Sequence, residues 1–262
     1  FLKHGDVALS ISPTFSMYQR CVKIQGAKFV VVPLREGFSL DINGILDSAK
    51  SGAKLLFLCS PNNPTANQFE PEEIQHLLEE FEGLVIVDEA YAEFSEQSIV
   101  PLAEKNENLI VLRTFSKAFG LAGLRLGYAI SNTELASTLT ERYQMPYSAA
   151  LTAIKTGIKL LERMDTIKKA IQELKVERKN MIERLNDMSG VHAFNSKTNF
   201  VLVRVGKGSD WVCNGLLNRG IIIRNLGRVV KFDNCLRVTI APPEMTERFL
   251  VELGRVLDEQ SV

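Results

Sequence analysis

Four short apolar runs punctuate the first half of the chain: Lys28–Pro33 (KFVVVP), residues 54–58 (KLLFL), Leu84–Asp88 (LVIVD) and Leu109–Thr114 (LIVLRT). None alternates apolar with polar positions, so each predicts a strand covered on both faces. Between them, residues 41–50 and 71–81 repeat apolar positions at helical spacing. Pro71 suits a first helical position, and Glu72 and Glu73 suit the positive end of the helix that follows. Strands alternating with helices predict an α/β fold: a three-layer large domain around a mostly parallel sheet.

After about Ser148 the pattern changes. Residues 152–161 and 167–188 read as helices, the second long and charged along one face. A strand at Phe200–Val205, a helix at 210–219, strands at 220–224 and 236–240 and a closing helix from Glu244 follow. Strands mixed with terminal helices predict a smaller α+β domain. The expected division is 1–155 for the large domain and 156–262 for the small one.

Composition changes this picture little. Lys plus Arg and Asp plus Glu each number 31, so the formal charge of zero offers nucleic acid or an acidic membrane no attraction. No apolar run approaches the roughly 18 residues of a membrane span. The four cysteines and three histidines are scattered without metal-ligand spacing, so no metal is expected and a reducing cytoplasm is the natural setting. Cys59, ending an apolar run, reads as a buried thiol.

The chemistry gathers where the strands end. In open α/β sheets ligands sit beyond the carboxyl ends of the strands. After residues 54–58 comes Cys-Ser-Pro-Asn-Asn-Pro-Thr, residues 59–65. The third run ends in Asp88-Glu89-Ala90-Tyr91, and the fourth leads through Ser116-Lys117 to Gly120-Leu121-Ala122-Gly123-Leu124-Arg125. Each residue also has a plainer reading. Asp88 would cap a helix, Ser-Pro-Asn-Asn-Pro would make a turn, Lys117 would be a surface lysine, and Arg125 would pair with any carboxylate.

Together with Pro13-Thr14-Phe15-Ser16-Met17-Tyr18, these segments resemble the fold-type-I pyridoxal-phosphate aminotransferases, and most closely the histidinol-phosphate aminotransferases. The resemblance runs along essentially the whole chain. It implies pyridoxal 5'-phosphate as cofactor, with Lys117 as the catalytic residue, binding the cofactor aldehyde as a Schiff base and then moving a proton. It implies that Asp88 keeps the pyridine nitrogen protonated, that Asn63 and Tyr91 donate to the ring hydroxyl oxygen, and that Phe15 covers one ring face. Ser116 and Arg125 would hold the cofactor phosphate, Arg237 the substrate α-carboxylate, and Arg224 the phosphate of histidinol phosphate.

The implied reaction is transamination of histidinol phosphate with 2-oxoglutarate by a homodimer. An aromatic or broad-range aminotransferase, a phosphothreonine decarboxylase and an inactive truncated homologue remain open readings. Ala66 stands where the family usually has glycine after Asn-Pro-Thr; a positive φ there would cost about 1 kcal/mol. The resemblance also leads one to expect, ahead of Phe1, an arm, a strand and a helix carrying a glycine-rich phosphate turn and a tyrosine that reaches the neighbouring subunit. The large domain is therefore expected to be incomplete at its N-terminus. In this form the chain is expected to hold cofactor weakly and to expose apolar surface.

Overall fold

The computed structural model describes residues 1–259. Its first sheet has six strands: β1 (Val7–Ser12), β2 (Lys28–Pro33), β3 (Ala53–Cys59), β4 (Leu84–Asp88), β5 (Leu109–Thr114) and β6 (Gly127–Ile130). They lie in the order β2-β1-β3-β4-β5-β6. All neighbours pair in parallel except β6, which runs antiparallel to β5. The parallel strands therefore all end on one edge of the sheet, at Ser12, Pro33, Cys59, Asp88 and Thr114.

Helices α1 (Met17–Ile24), α2 (Ile42–Ala49) and α3 (Pro71–Glu80) flank this sheet. Ile45 of α2 and Ile74, Leu77 and Leu78 of α3 pack with Leu9, Ile11, Leu56, Leu58, Val85 and Val87 in one core. On the opposite face Val22 of α1 joins Ala8, Leu55 and Phe57. The three layers expected are the layers found. Both predicted helices form, α2 capped by the Asp41 side chain and α3 by a capping box between Glu70 and Glu73 with Pro71 at its start.

Helices α4 (Thr133–Thr138), α5 (Leu151–Leu161) and α6 (Met164–Asn186) lead to the second sheet. The expected division at residue 155 falls inside α5. Strands β7 (Val191–Ala193), β8 (Phe200–Val205), β9 (Arg224–Val229) and β10 (Phe232–Thr239) form an antiparallel sheet in the order β7-β8-β10-β9. Its outer face, Val201, Val203, Val205, Leu236 and Val238, is covered by α6, α7 (Ser209–Leu217) and α8 (Pro243–Asp258). Its inner face sends Leu202, Val229 and Cys235 into the core of the first sheet, where Phe38 meets Phe194 and Phe232 edge-on at 5.1 and 5.7 Å. One hydrophobic core thus joins both sheets.

One expected strand is displaced. Residues 220–224 were expected to form it, but pairing begins only at Arg224. Gly220 has φ 73°, and the Ile221 N–H donates to the Leu216 carbonyl, so this stretch closes α7 instead of joining the sheet.

Helix α6 reaches back to the first sheet's edge. Lys175 Nζ donates to the Ser95 carbonyl at 3.1 Å, and Arg178 Nη1 donates to the carbonyls of Phe94 (3.1 Å) and Thr198 (2.8 Å). Elsewhere, α5 leaves Leu151, Ile154, Ile158 and Leu161 exposed at helical spacing, beside exposed Tyr143, Met145 and Tyr147. Among the described residues no helix is long and apolar enough to cross a membrane.

Candidate active site

The turn after β3 is tied to the turn after β1 by Asn62, which is fully buried. Its Nδ2 donates to the Pro13 carbonyl (3.0 Å) and to Thr65 Oγ1 (2.6 Å), and its Oδ1 accepts from Thr14 Oγ1 at 2.8 Å. These bonds carry Phe15 and Asn63 to the same sheet edge. Ala66, completely buried, has φ 64°, the left-handed conformation anticipated for it. It keeps that conformation between two backbone bonds: its N–H to the Asn62 carbonyl (2.9 Å) and the Lys197 N–H to its own carbonyl (2.7 Å).

At the end of β4, Asp88 Oδ1 accepts from the Ala90 N–H at 3.0 Å and Oδ2 accepts from the Tyr18 hydroxyl at 2.6 Å. The next residue serves the interior. Glu89 is fully buried and accepts from Arg113 Nε (2.8 Å), Ser98 Oγ (3.0 Å) and the Ile99 N–H (2.5 Å), while Arg113 also pairs with Glu93 at 3.1 Å. This network fixes the turn that presents Tyr91, itself buried and edge-on to Phe200 at 5.4 Å.

Beyond β5, buried Phe115 and Phe119 pack together with centroids 4.8 Å apart. Their anchoring makes Lys117, between them, stand out from the turn. Its Nζ lies 5.3 Å from the Tyr91 ring centroid. The Gly120 N–H closes the turn on the Lys117 carbonyl at 3.1 Å with φ 69°, a conformation that favours glycine. Ser116 donates its N–H to Thr114 Oγ1 at 3.0 Å. Arg125 lies at the end of this loop, exposed, at φ 52°, with Nη1 donating to the Ala122 carbonyl at 2.9 Å.

The second sheet adds two arginines. Arg237 Nη1 donates to Asn63 Oδ1 at 2.7 Å, and its guanidinium lies 5.0 Å from the centre of the Phe200 ring. Arg224 is directly opposite Arg237 in the β9–β10 register and is exposed.

Seven of the residues singled out from sequence thus stand around one sheet edge: Phe15, Asn63, Asp88, Tyr91, Ser116 and Lys117 from the first sheet's turns, with Arg237 reaching across. Arg224 stands one strand further out, and Arg125 is turned onto its own loop. Sequence reasoning missed Tyr18, Asn62 and the Glu89–Arg113–Glu93 network. Tyr18 ends the segment Pro13-Thr14-Phe15-Ser16-Met17-Tyr18, but only its contact with Asp88 distinguishes it from a core aromatic.

Residues 1–253 match the aminotransferase class I and II family. The chain belongs to that family. Within it, the chain is 40% identical over 258 residues to a histidinol-phosphate aminotransferase of a Thermoanaerobacter species, covering 98% of this chain and 73% of the relative. It is 36% identical to the enzyme of the same name from Chlorobaculum tepidum, covering 96% and 72%. Among solved structures, the histidinol-phosphate aminotransferase of Sinorhizobium meliloti in complex with pyridoxal-5'-phosphate superposes with a TM-score of 0.90. It is 25% identical and covers all of this chain and 73% of its own.

The charges of this aminotransferase site are unbalanced. Burial raises the Asp88 carboxyl above its ordinary value, opposed by the Tyr18 and Ala90 hydrogen bonds and by the charge of Lys117. Asp88 nonetheless makes no ion pair among the described residues, and neither do Lys117, Arg125, Arg224 or Arg237. Burial, with Cys59 nearby, pushes the Tyr91 phenol up to about 12, so it is a neutral donor. Burial and the Asp88 charge push the Cys59 thiol up to about 12, which leaves it an inert neighbour, as a buried thiol was expected to be. Among the described residues no cluster of three or more His, Cys, Asp or Glu could hold a metal ion.

A desolvated carboxylate without an ion-pair partner, on the same sheet edge as a lysine and a neutral phenol, fits a flat cationic heterocycle that carries an aldehyde and an anionic arm. Pyridoxal 5'-phosphate has those features.

Proposed function

We propose that the chain transaminates histidinol phosphate with 2-oxoglutarate, using pyridoxal 5'-phosphate held by Phe15, Asn63, Asp88, Tyr91, Ser116, Lys117 and Arg125. The observation that carries this reading is the unpaired Asp88 carboxylate at the end of β4, on the sheet edge that presents Lys117. When bound, the cofactor supplies an aldehyde that bonds to amines and a protonated ring that draws electrons from the substrate carbon.

The chain's own residues do the rest. Asp88 holds the proton on the ring nitrogen. Tyr91 donates to the ring hydroxyl oxygen. Asn63 has its Oδ1 committed to Arg237, so its Nδ2 is the group free to donate beside Tyr91. Phe15 covers a ring face, while Ser116 and Arg125 hold the phosphate. Lys117 Nζ takes the proton from the substrate α-carbon and later returns one. Arg237 grips the α-carboxylate of 2-oxoglutarate and of the glutamate formed from it, a group histidinol phosphate lacks, since a guanidinium suits either. Arg224 receives the phosphate of histidinol phosphate.

Residues 1–155 would form the cofactor-holding unit and 156–262 the unit that brings Arg224 and Arg237. A cytoplasmic homodimer fits the four free thiols and the exposed apolar stripe of α5.

Borohydride reduction with bound cofactor, followed by peptide mapping, is expected to label Lys117; label on another lysine refutes the central assignment. Comparing kcat/KM for histidinol phosphate and phenylalanine tests the substrate. Preference for phenylalanine would make the enzyme a broad-range aminotransferase, and release of carbon dioxide from phosphothreonine would make it a decarboxylase.

A further inference from the structure

Among the described residues Tyr18 is the one titratable side chain in hydrogen-bond contact with Asp88, and its placement exceeds what a core aromatic needs. It comes from the first turn of α1, is 7% exposed, and stacks on Phe57 of β3 at 5.1 Å with the planes 11° apart. Phe15 meets it edge-on at 5.6 Å. The ring is therefore clamped by β3 beneath and Phe15 beside it, so the hydroxyl has little freedom when it donates to Asp88 Oδ2 at 2.6 Å. With the Ala90 N–H on Oδ1, each carboxylate oxygen has one fixed donor.

We propose that Tyr18 is a positioning residue: its hydroxyl fixes the plane of the Asp88 carboxylate and keeps it charged, and so sets how firmly the site holds a protonated ring nitrogen. The inference rests on the reading of Asp88 given above. The carboxylate and the ring nitrogen compete for one proton. A carboxylate with fewer donors is a stronger base and draws the proton off a neighbouring pyridinium, whereas a carboxylate with two donors leaves it on the ring. Tyr18 can play this part at any working pH, because burial holds its phenol well above 10.0 and the groups facing it offer no better acceptor. Cys59 is a neutral thiol, and Lys117, whose charge lowers Asp88, has no acceptor to offer the hydroxyl.

Tyr18→Phe keeps both ring contacts and removes only the hydroxyl. The test compares the unaltered chain and this variant in equilibrium binding of pyridoxal phosphate and of its 1-deaza analogue, in which the ring nitrogen is replaced by CH. The 15N resonance of ring-labelled pyridoxal phosphate is read alongside. The variant is expected to bind pyridoxal phosphate about tenfold more weakly, the scale of one hydrogen bond to a charged group. It should bind the deaza compound unchanged, with the 15N resonance moved toward the unprotonated position. Equal weakening for both compounds would make Tyr18 a packing residue and overturn the proposal, as would an unmoved 15N resonance. Equal affinity of the unaltered chain for both compounds would instead overturn the assignment of Asp88, and this inference with it.

Discussion

Arg224 and Arg237 offer a prediction in which stability and function move in opposite directions. They face each other directly across the β9–β10 pair, on one face of the sheet, and neither has a carboxylate partner among the described residues. Like charges directly opposite in an antiparallel pair cost about 0.2–1 kcal/mol. Arg224 is exposed, so Arg224→Gln removes that repulsion without opening a cavity. In the ligand-free protein the variant should gain stability of that order, a rise in Tm of about 0.4–4 °C for a chain this long. The gain should collapse in about 1 M salt, where the screening length falls to about 3 Å.

With histidinol phosphate the same change removes a charge-assisted contact worth about 1.5–3 kcal/mol, so kcat/KM should fall about 10- to 100-fold. With phenylalanine it should barely change. Thermal unfolding at low and high salt, alongside kinetics on both substrates, measures both arms. Lower stability at low salt would refute the electrostatic argument. Equal losses on the two substrates would refute the phosphate assignment.

Arg113→Met strands two carboxylates, one of them fully buried, and should destabilise the chain by about 3–5 kcal/mol in urea unfolding; a loss below about 1 kcal/mol would mean the network is dispensable. Ala66→Gly relieves a left-handed alanine and should raise stability by about 0.5–1 kcal/mol, read as a higher urea midpoint with an unchanged slope. Burial raises Asp88 and Glu93 above their ordinary 3.8 and 4.5. Their contribution to stability is therefore fully present below those values and is lost as pH rises through the folded ones. Asp88→Asn should remove the Asp88 part of that slope, so the variant's urea midpoint should gain on the parent's as pH rises; parallel pH profiles would contradict this.

The sequence was most legible in the apolar runs, including β2, whose bounds match to the residue although it is a mostly exposed edge strand and not covered on both faces as expected. Strands β3, β4 and β5 lie inside the sheet with helices on both sides, so their apolar runs are unbroken and their bounds fall within a residue or so of expectation. Strand β1 escaped notice because it spends a buried position on Ser10, whose hydroxyl donates to the Phe57 carbonyl at 2.8 Å. Helix α1 buries only Tyr18 and Val22, too few to set a visible period. Strand β6 is four residues long, mostly exposed and opened by Gly127. At 220–224 the isoleucines suggested a strand, but the positive φ of Gly220 spends them on a helix end. At the site, residues that face a ligand were legible through their motifs. Residues that hold other residues, such as Asn62, Tyr18 and Arg113, were not, because most of their partners lie 15 to 70 positions away.

The bond from Arg237 to Asn63 joins side chains 174 positions apart. In the proposed assignment one end belongs to the substrate and the other to the cofactor. The two binding events then share a hinge: drawing the guanidinium toward an incoming carboxylate loosens the clamp on the Asn63 amide, and with it one restraint on the ring. An enzyme wired in this way senses an occupied substrate pocket through the posture of its cofactor, and substitutions at either end report on both.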